Sequence, residues 1–341
     1  VDQHRWMPDV DLVLSFEMRG GGGPSIMFET NDQNGWVVEA LADFAPVPFG
    51  YSLAFEVYQR MPNDTDFSPF RDAGVQGMNF AGIDNAHVYH QENDTPDNLS
   101  ERTLQHHGLH GLSALRWFGE ADLGSVNAPN RSYFSVPMLG LVHYAQPLVH
   151  GISALLLLLV LAFGGLAMRG GARPLGVGAG LVIFLVVAAA GYGVGSTLLD
   201  TLVSRHGEVG ALHGSLFHKE GWYVLAVALS VLALTTGLTG VARRWVSRDE
   251  LVLGALVVPT IGAVAVGIVA PLAAAHLQLP ALACVLAALI GTVLGTRATG
   301  VIGWVMAVVL ALPVFLLLQP VIELVWMALT FRLIGLLAVL M

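Results

Sequence analysis

Charged residues are scarce in this sequence. Only 12% of its 341 residues are Asp, Glu, Lys or Arg, against about 25% in an ordinary soluble protein. With 55% hydrophobic residues and a mean hydropathy of +0.66, the composition excludes a water-soluble protein and implies one integral to a lipid bilayer. Cysteine is nearly absent. Cys284 stands alone inside an apolar run, which excludes a disulfide framework and a thiolate metal site. Lysine is missing from residues 1–146, which hold seven Arg and nineteen acids, a net charge of −12. No basic face exists there for DNA or RNA, so nucleic-acid binding is excluded. The chain starts at Val1 without an initiator Met, a signal peptide or a leading apolar helix, and the expectation is the C-terminal part of something longer.

The charge divides the chain. Residues 147–341 carry nine basic and six acidic side chains, net +3. An acidic, water-facing domain over residues 1–118, a linker rich in Gly, Pro, Asn and Ser over 119–146, and a membrane domain over 147–341 are expected.

Residues 11–16 (DLVLSF) and 25–30 (SIMFET) are short apolar runs separated by Glu17-Met18-Arg19 and four glycines, which suits two strands with a tight connection. Glu17 closes the first run, either as a solvated acid at a strand end or as a carboxylate placed at a strand's carboxyl end to serve a ligand. The glycines read as a turn and not a phosphate loop, because no Gly-Lys-Ser/Thr follows. Residues 34–44 and 49–61 have helical spacing. Pro62-Asn63-Asp64-Thr65-Asp66-Phe67 then makes a turn with two carboxylates, in which Asp64 either caps the next helix or serves a site. Residues 75–83 read as a strand leading to Tyr89-His90 and the acidic stretch that includes Asp94. A lone loop histidine such as His90 is either a surface residue or, since imidazole beside carboxylates suits zinc or another hard or borderline metal, a ligand. Residues 100–118 form an amphipathic helix capped at Ser100. Its His106, His107 and His110 lack the Glu of an HExxH motif and take a structural or surface role.

Seven apolar runs follow, at 147–168, 175–199, 222–241, 251–275, 280–296, 300–318 and 321–340. Each approaches the ~20 residues that cross a bilayer, the fifth being short, so six or seven spans are expected. Arg169, Arg173, Arg243, Arg244, Arg248 and Arg297 follow odd-numbered runs, placing those exits in the cytoplasm and the acidic domain outside it. Abundant Gly and Ala permit close helix packing. Glu323 and Arg332 lie in the last run, where they either serve a transport role or snorkel or pair with each other. The loop 204–221, with His206, Glu208, His213, His218 and Glu220, reads as solvated.

Taken in order, Phe16-Glu17-Met18-Arg19-Gly20, Phe28-Glu29-Thr30, Pro62-Asn63-Asp64-Thr65-Asp66-Phe67, Gly77-Met78-Asn79-Phe80-Ala81, and Tyr89-His90 with Asp94-Thr95-Pro96-Asp97-Asn98-Leu99 resemble the zinc aminopeptidase family of bacterial leucyl aminopeptidases and glutaminyl cyclases. The likeness is strongest to its membrane branch, the Fxna-type endoplasmic reticulum metallopeptidases and vacuolar membrane proteases, and covers residues 9–110. The resemblance implies an α/β zinc-peptidase-like partial domain, a mixed sheet flanked by helices, followed by an all-α polytopic membrane domain. It implies two zinc ions, with Glu17 and His90 as metal ligands and Tyr89 as the catalytic hydroxyl that stabilises the tetrahedral intermediate. Asp64, Asp66 and Asp94 are candidates for supporting the ligands. Gln91 stands where the branch has Thr. The family's His-x-Asp motif, bridging Asp and Glu-Glu pair have no counterpart, and no Glu-Glu pair occurs in the chain. The general base is therefore absent, the N-terminal half of the peptidase domain is a missing partner with an exposed sheet edge where it would pair, and this chain alone is expected to be inactive. The implied activity is removal of N-terminal residues from peptide substrates. The alternative is a non-catalytic membrane scaffold or transporter with a degenerate peptidase-like outer domain.

Overall fold

The computed structural model describes residues 4–61, 64–85, 88, 90–206, 220–294, 305, 308–309, 311–312, 314–319, 321–322 and 334–340. The chain divides into two compact units, Val1–Gly151 with Val266–Ala275, and Ile152–Ala265 with His276–Met341.

The first unit is built on a mixed three-stranded sheet of β1 (Leu12–Glu17), β2 (Gly22–Thr30) and β3 (Gln76–Asp84). Its order is β1-β3-β2, with β1 parallel and β2 antiparallel to β3. The first two strands are joined by the short connection expected, residues 18–21, but do not pair with each other. β3 lies between them, and Gly22 and Gly23 belong to β2 itself, Gly23 with φ +94°. Among the described residues, the outer edge of β1 pairs with no strand.

Side-chain alternation gives the sheet one apolar and one polar face. Leu12, Leu14, Met27, Met78 and Phe80 turn toward α1 (Gly35–Phe44) and α4 (Glu101–Phe118) and meet Val37, Val38, Leu41, Ala114 and Phe118. Phe16 stacks on Phe80 with centroids 4.9 Å apart. Each large side chain so buried contributes roughly 1.5–3 kcal/mol. The Ser100 hydroxyl caps α4 by accepting from Thr103 N, satisfying one of the free amides of the first turn. Ser15, Glu17, Asn79 and Glu29 lie on the opposite face, under the chain that links α2 (Ser52–Tyr58) to α3 (Ser68–Asp72). Helix α2 is shorter than the expected 49–61 run.

Residues 119–146 are not a linker. They contain the antiparallel hairpin of β4 (Arg131–Val136) and β5 (Gly140–Ala145). Tyr133 on β4 is fully buried in the same core as α1, while the turn leaves Met138 fully exposed at φ +67°. Turn-forming composition marked the bends of this segment and hid the short alternating strands between them. A 3-10 turn at Pro271–Ala273 also folds into the first unit. The Ser52 hydroxyl lies 2.5 Å from Leu272 O, and Leu272 and Ala274 are buried.

The second unit takes in most or all of α5 (Pro147–Arg169), α6 (Pro174–Arg205), α7 (Glu220–Ala242), α8 (Arg248–Val269) and α9 (Ala275–Leu294), which among the described residues are the five helices long and apolar enough to cross a membrane. The fourth expected run ends six residues early, at Val269, because Ala270-Pro271 leaves the helix. The fifth starts at Ala275 and carries Pro280 inside it. A short helix α10 (Ile334–Leu340) falls within the seventh run. Residues 323–333 of that run, with Glu323 and Arg332, nine of the nineteen residues of the sixth run, and residues 207–219 lie outside the described residues. Glycine does allow close packing: a Cβ on Gly254 would lie 2.3 Å from Val177 O, and one on Gly180 would lie 2.7 Å from Glu250 O. Glu250 is buried where α6 and α8 begin, accepting from Arg173 N at 2.6 Å and Ser247 N at 2.7 Å.

Candidate functional site

Strands β1 and β3 are parallel, so both end at one edge of the sheet. Glu17 is the last residue of β1, and the loop carrying His90 leaves that edge after Asp84. Glu17 is half-buried. Asn79 Nδ2 donates to Glu17 Oε1 at 3.0 Å, and the same nitrogen is 3.0 Å from Glu29 Oε2 and from Thr65 Oγ1. The Thr65 hydroxyl donates to Glu29 Oε2 at 3.1 Å. Arg71 closes the array with a 2.7 Å bond to Glu29 Oε1. Glu29 is 1% exposed and Asn79 is fully buried, so a charge without partners here would be strongly disfavoured.

Burial raises the pKa of Glu17 above the usual carboxylate value; Asp66 and Glu29 push in the same direction, against the bond from Asn79 and the backbone amide of Asp66. Tyr58 is pushed up to about 12, first by burial and then by Glu29 and Glu17. Carboxylates crowded in this way form a local field that a cation relieves.

The His90 loop is pinned beside the segment that follows Glu17. Asp94 Oδ1 accepts from Gly20 N at 2.6 Å, and Ser100 N donates to Gly21 O at 2.8 Å. A Cβ on Gly20 would lie 2.6 Å from Thr95 N and O, so only glycine permits this approach. His90 is exposed with φ +57°, a conformation uncommon outside glycine. Asp94 thus fastens a backbone amide. Asp64 is exposed and does not cap α3, whose N-cap is Phe67. Asp66, also exposed, acts on Glu17 through charge and its backbone amide. Tyr89 lies outside the described residues. Among the described residues, no three His, Cys, Asp or Glu side chains are grouped to hold a metal.

The three helix histidines bind the protein itself. His106 Nδ1 accepts from Ser25 N at 3.1 Å, and His107 Nδ1 and His110 Nδ1 lie 2.5 and 3.1 Å from Ser25 Oγ. The Nε2 atoms of His106 and His110 reach Val47 O at 2.9 and 3.1 Å. This is the structural role expected of them, fastening α4 to β2.

Reading the sequence alone did not single out Asn79, Glu29, Thr65, Tyr58 or Arg71. The available signal was a polar residue on one face of each strand, Glu17 in β1, Glu29 in β2 and Asn79 in β3, inside otherwise apolar runs.

Residues 1–114 match the model of peptidase family M28. Endoplasmic reticulum metallopeptidase 1 of Rattus norvegicus is 32% identical over 152 residues, 43% of this chain and 17% of the relative. The Homo sapiens protein of the same name is 32% identical over 154 residues, again 43% and 17%. The vacuolar membrane protease of Lachancea thermotolerans is 31% identical over 103 residues, 30% of this chain and 11% of the relative. No solved structure matches the chain. The resemblance to the membrane metallopeptidase branch is thereby borne out for the N-terminal region, and the chain covers less than a fifth of the length of these relatives.

Proposed function

We propose that this chain supplies one part of the metal site of a membrane-anchored, zinc-dependent aminopeptidase, with the remaining ligands and the general base carried on polypeptide beyond residues 1–341. The observation that carries the reading is Glu17. It stands at the carboxyl end of β1 within the stretch matched to peptidase family M28, fixed by Asn79 and crowded by Asp66 and Glu29. Hard carboxylate oxygen and imidazole are suitable zinc donors, and the crowding at Glu17 is of the sign a cation relieves. The fit is partial, since the described residues group no three ligands.

In this reading Glu17 and His90 would hold metal, and Tyr89 would supply the hydroxyl that stabilises the tetrahedral intermediate. When bound, two zinc ions lower the pKa of a water and polarise the scissile carbonyl. The chain's own contribution is positional. Asn79 and the Asp66 amide hold the Glu17 carboxylate, while Asp94 and Gly20 hold the His90 loop against the segment after β1. The arginines that follow the odd-numbered apolar runs support an extracytoplasmic side for this unit, where its substrates would be peptides with a free N-terminus.

The test uses the full-length protein in detergent. Zinc titration and release of N-terminal amino acids from peptides are measured for the wild type, Glu17→Ala and His90→Ala. Loss of zinc affinity and of release in both variants supports the reading. A full-length protein that binds no zinc and releases no amino acids sinks it and leaves a membrane scaffold with a peptidase-like outer unit.

A further inference from the structure

We infer that Asn79 is the positioning residue of Glu17, and that the array Arg71, Glu29, Thr65 and Asn79 exists to present the Glu17 carboxylate in one orientation. The inference rests on the reading of Glu17 as a metal ligand. It extends that reading to residues with no ligand role of their own.

The chemistry of one amide group carries it. Asn79 has two N–H bonds to share among three acceptors, Glu17 Oε1, Glu29 Oε2 and Thr65 Oγ1, each 3.0 Å away. The Thr65 hydroxyl spends its own hydrogen on Glu29, so it meets Asn79 as an acceptor. Turning the amide over would aim its carbonyl at two carboxylates, so the charges fix its orientation. In that orientation Asn79 Oδ1 is buried with no partner among the described residues. An asparagine serving only the fold would be expected to satisfy both ends. Here the acceptor end is sacrificed to keep the donors on the carboxylates.

The anchoring runs back into the sheet. Arg71 holds Glu29 from the side away from Asn79, and Glu29 and Asn79 sit opposite each other on β2 and β3. Asn79 itself is fully buried and has no freedom to follow Glu17 if that side chain turns. One oxygen of Glu17 is therefore committed, and a metal meets a carboxylate whose orientation is already set. Groups that orient metal ligands from behind influence affinity strongly even though they never touch the metal.

The experiment measures zinc binding to metal-free, full-length protein in detergent by competition with a chromophoric chelator, with a thermal melt of each metal-free variant. Asn79→Leu, which keeps volume and removes the donors, is expected to weaken zinc binding about tenfold or more with the secondary structure retained. Thr65→Val is expected to weaken it about threefold, through Asn79, with a fall in melting temperature from the bond lost to Glu29 and the secondary structure retained. Wild-type affinity in Asn79→Leu, while Glu17→Ala loses affinity, overturns the inference and leaves the metal reading standing. Wild-type affinity in Glu17→Ala overturns the metal reading, and this inference with it. If Asn79→Leu does not fold, Thr65→Val decides, and unchanged affinity there overturns the role of the array.

Discussion

Asn79 Nδ2 is 3.0 Å from Glu17 Oε1 and also 3.0 Å from Glu29 Oε2, so one neutral side chain holds two carboxylates together on the polar face of the sheet. Of the two, Glu29 is the deeper, at 1% exposure. Its charge is tolerable because Arg71 lies 2.7 Å from it.

Arg71→Met should therefore destabilise the first unit by about 2–3 kcal/mol, since it leaves a buried carboxylate with hydrogen bonds but no countercharge. Arg71 is partly exposed, which keeps the effect below that of a wholly buried pair. Glu29→Gln in the same background should recover part of the loss, because the amide retains an acceptor for Asn79 and removes the charge. A double-mutant cycle from thermal or denaturant melts checks this. Additive losses would mean that the pair does not interact.

His110 predicts an acid-sensitive attachment of α4. Its ring is buried between Ser25 Oγ and Val47 O, and burial, with His106 and His107 nearby, brings its pKa down to about 4. The unfolded chain has the ordinary value of about 6.5. Between pH 6.5 and 4 the unfolded state therefore binds more protons, so this contribution to stability is whole above pH 6.5 and falls as pH drops toward 4. Melts from pH 7 to 4.5 should show a smaller loss for His110→Gln than for the wild type. Equal pH dependence in the two proteins would remove His110 from the account.

Tyr133 gives a prediction of opposite sign. Its side chain fills the core beside α1, and its hydroxyl has no hydrogen-bond partner among the described residues. Removing a buried hydroxyl that has no partner costs nothing in lost hydrogen bonds and relieves desolvation. Tyr133→Phe should leave stability unchanged or raise it, whereas Tyr133→Ala should lower it by about 3–5 kcal/mol. A loss above about 1 kcal/mol in Tyr133→Phe would show that the hydroxyl is bonded.

The sequence disclosed those parts of the fold that depend on local periodicity. The strand runs ending at Glu17 and Thr30, the α1 pattern from Trp36 to Phe44 and the Ser100 cap all have their cause within a few residues. Strand order was hidden, because the placement of β3 between β1 and β2 follows from contacts some sixty residues apart, such as Glu17 with Ala81. The site divides in the same way. Glu17 and His90 were visible as residue types in ordered motifs. Asn79 and Thr65 stand in those motifs with no role attached and Arg71 in none, because what selects them is the meeting of β2, β3 and the turn after α2 on one face. The hairpin reads as a linker in sequence because its strands are short and its turn residues dominate the composition.

Ser52 supplies the last prediction, and it concerns how far the first unit extends. The Ser52 hydroxyl accepts from Tyr133 N at 3.1 Å and lies 3.0 Å from Tyr133 O and 2.5 Å from Leu272 O. It has one hydrogen to give, and the shorter approach directs it to Leu272. Ser132 Oγ makes a longer, 3.5 Å contact with Pro271 O. With Leu272, Ala273 and Ala274 buried, residues 271–274 fill a surface made by α2 and β4. Ser52→Ala should therefore release this turn more than it disturbs the sheet, at a cost of about 1–2 kcal/mol. Hydrogen exchange should speed up at Ala273 and Ala274, whose amides close the turn onto Ala270 O and Pro271 O, while the amides of β3 stay protected. For the same reason, a protein truncated at residue 146 would expose the apolar surface around Tyr51, Ser52 and Phe134 and should be less soluble than one that retains the turn. Uniform exchange changes across the unit, or a well-behaved truncated protein, would show that residues 271–274 are not needed to complete it.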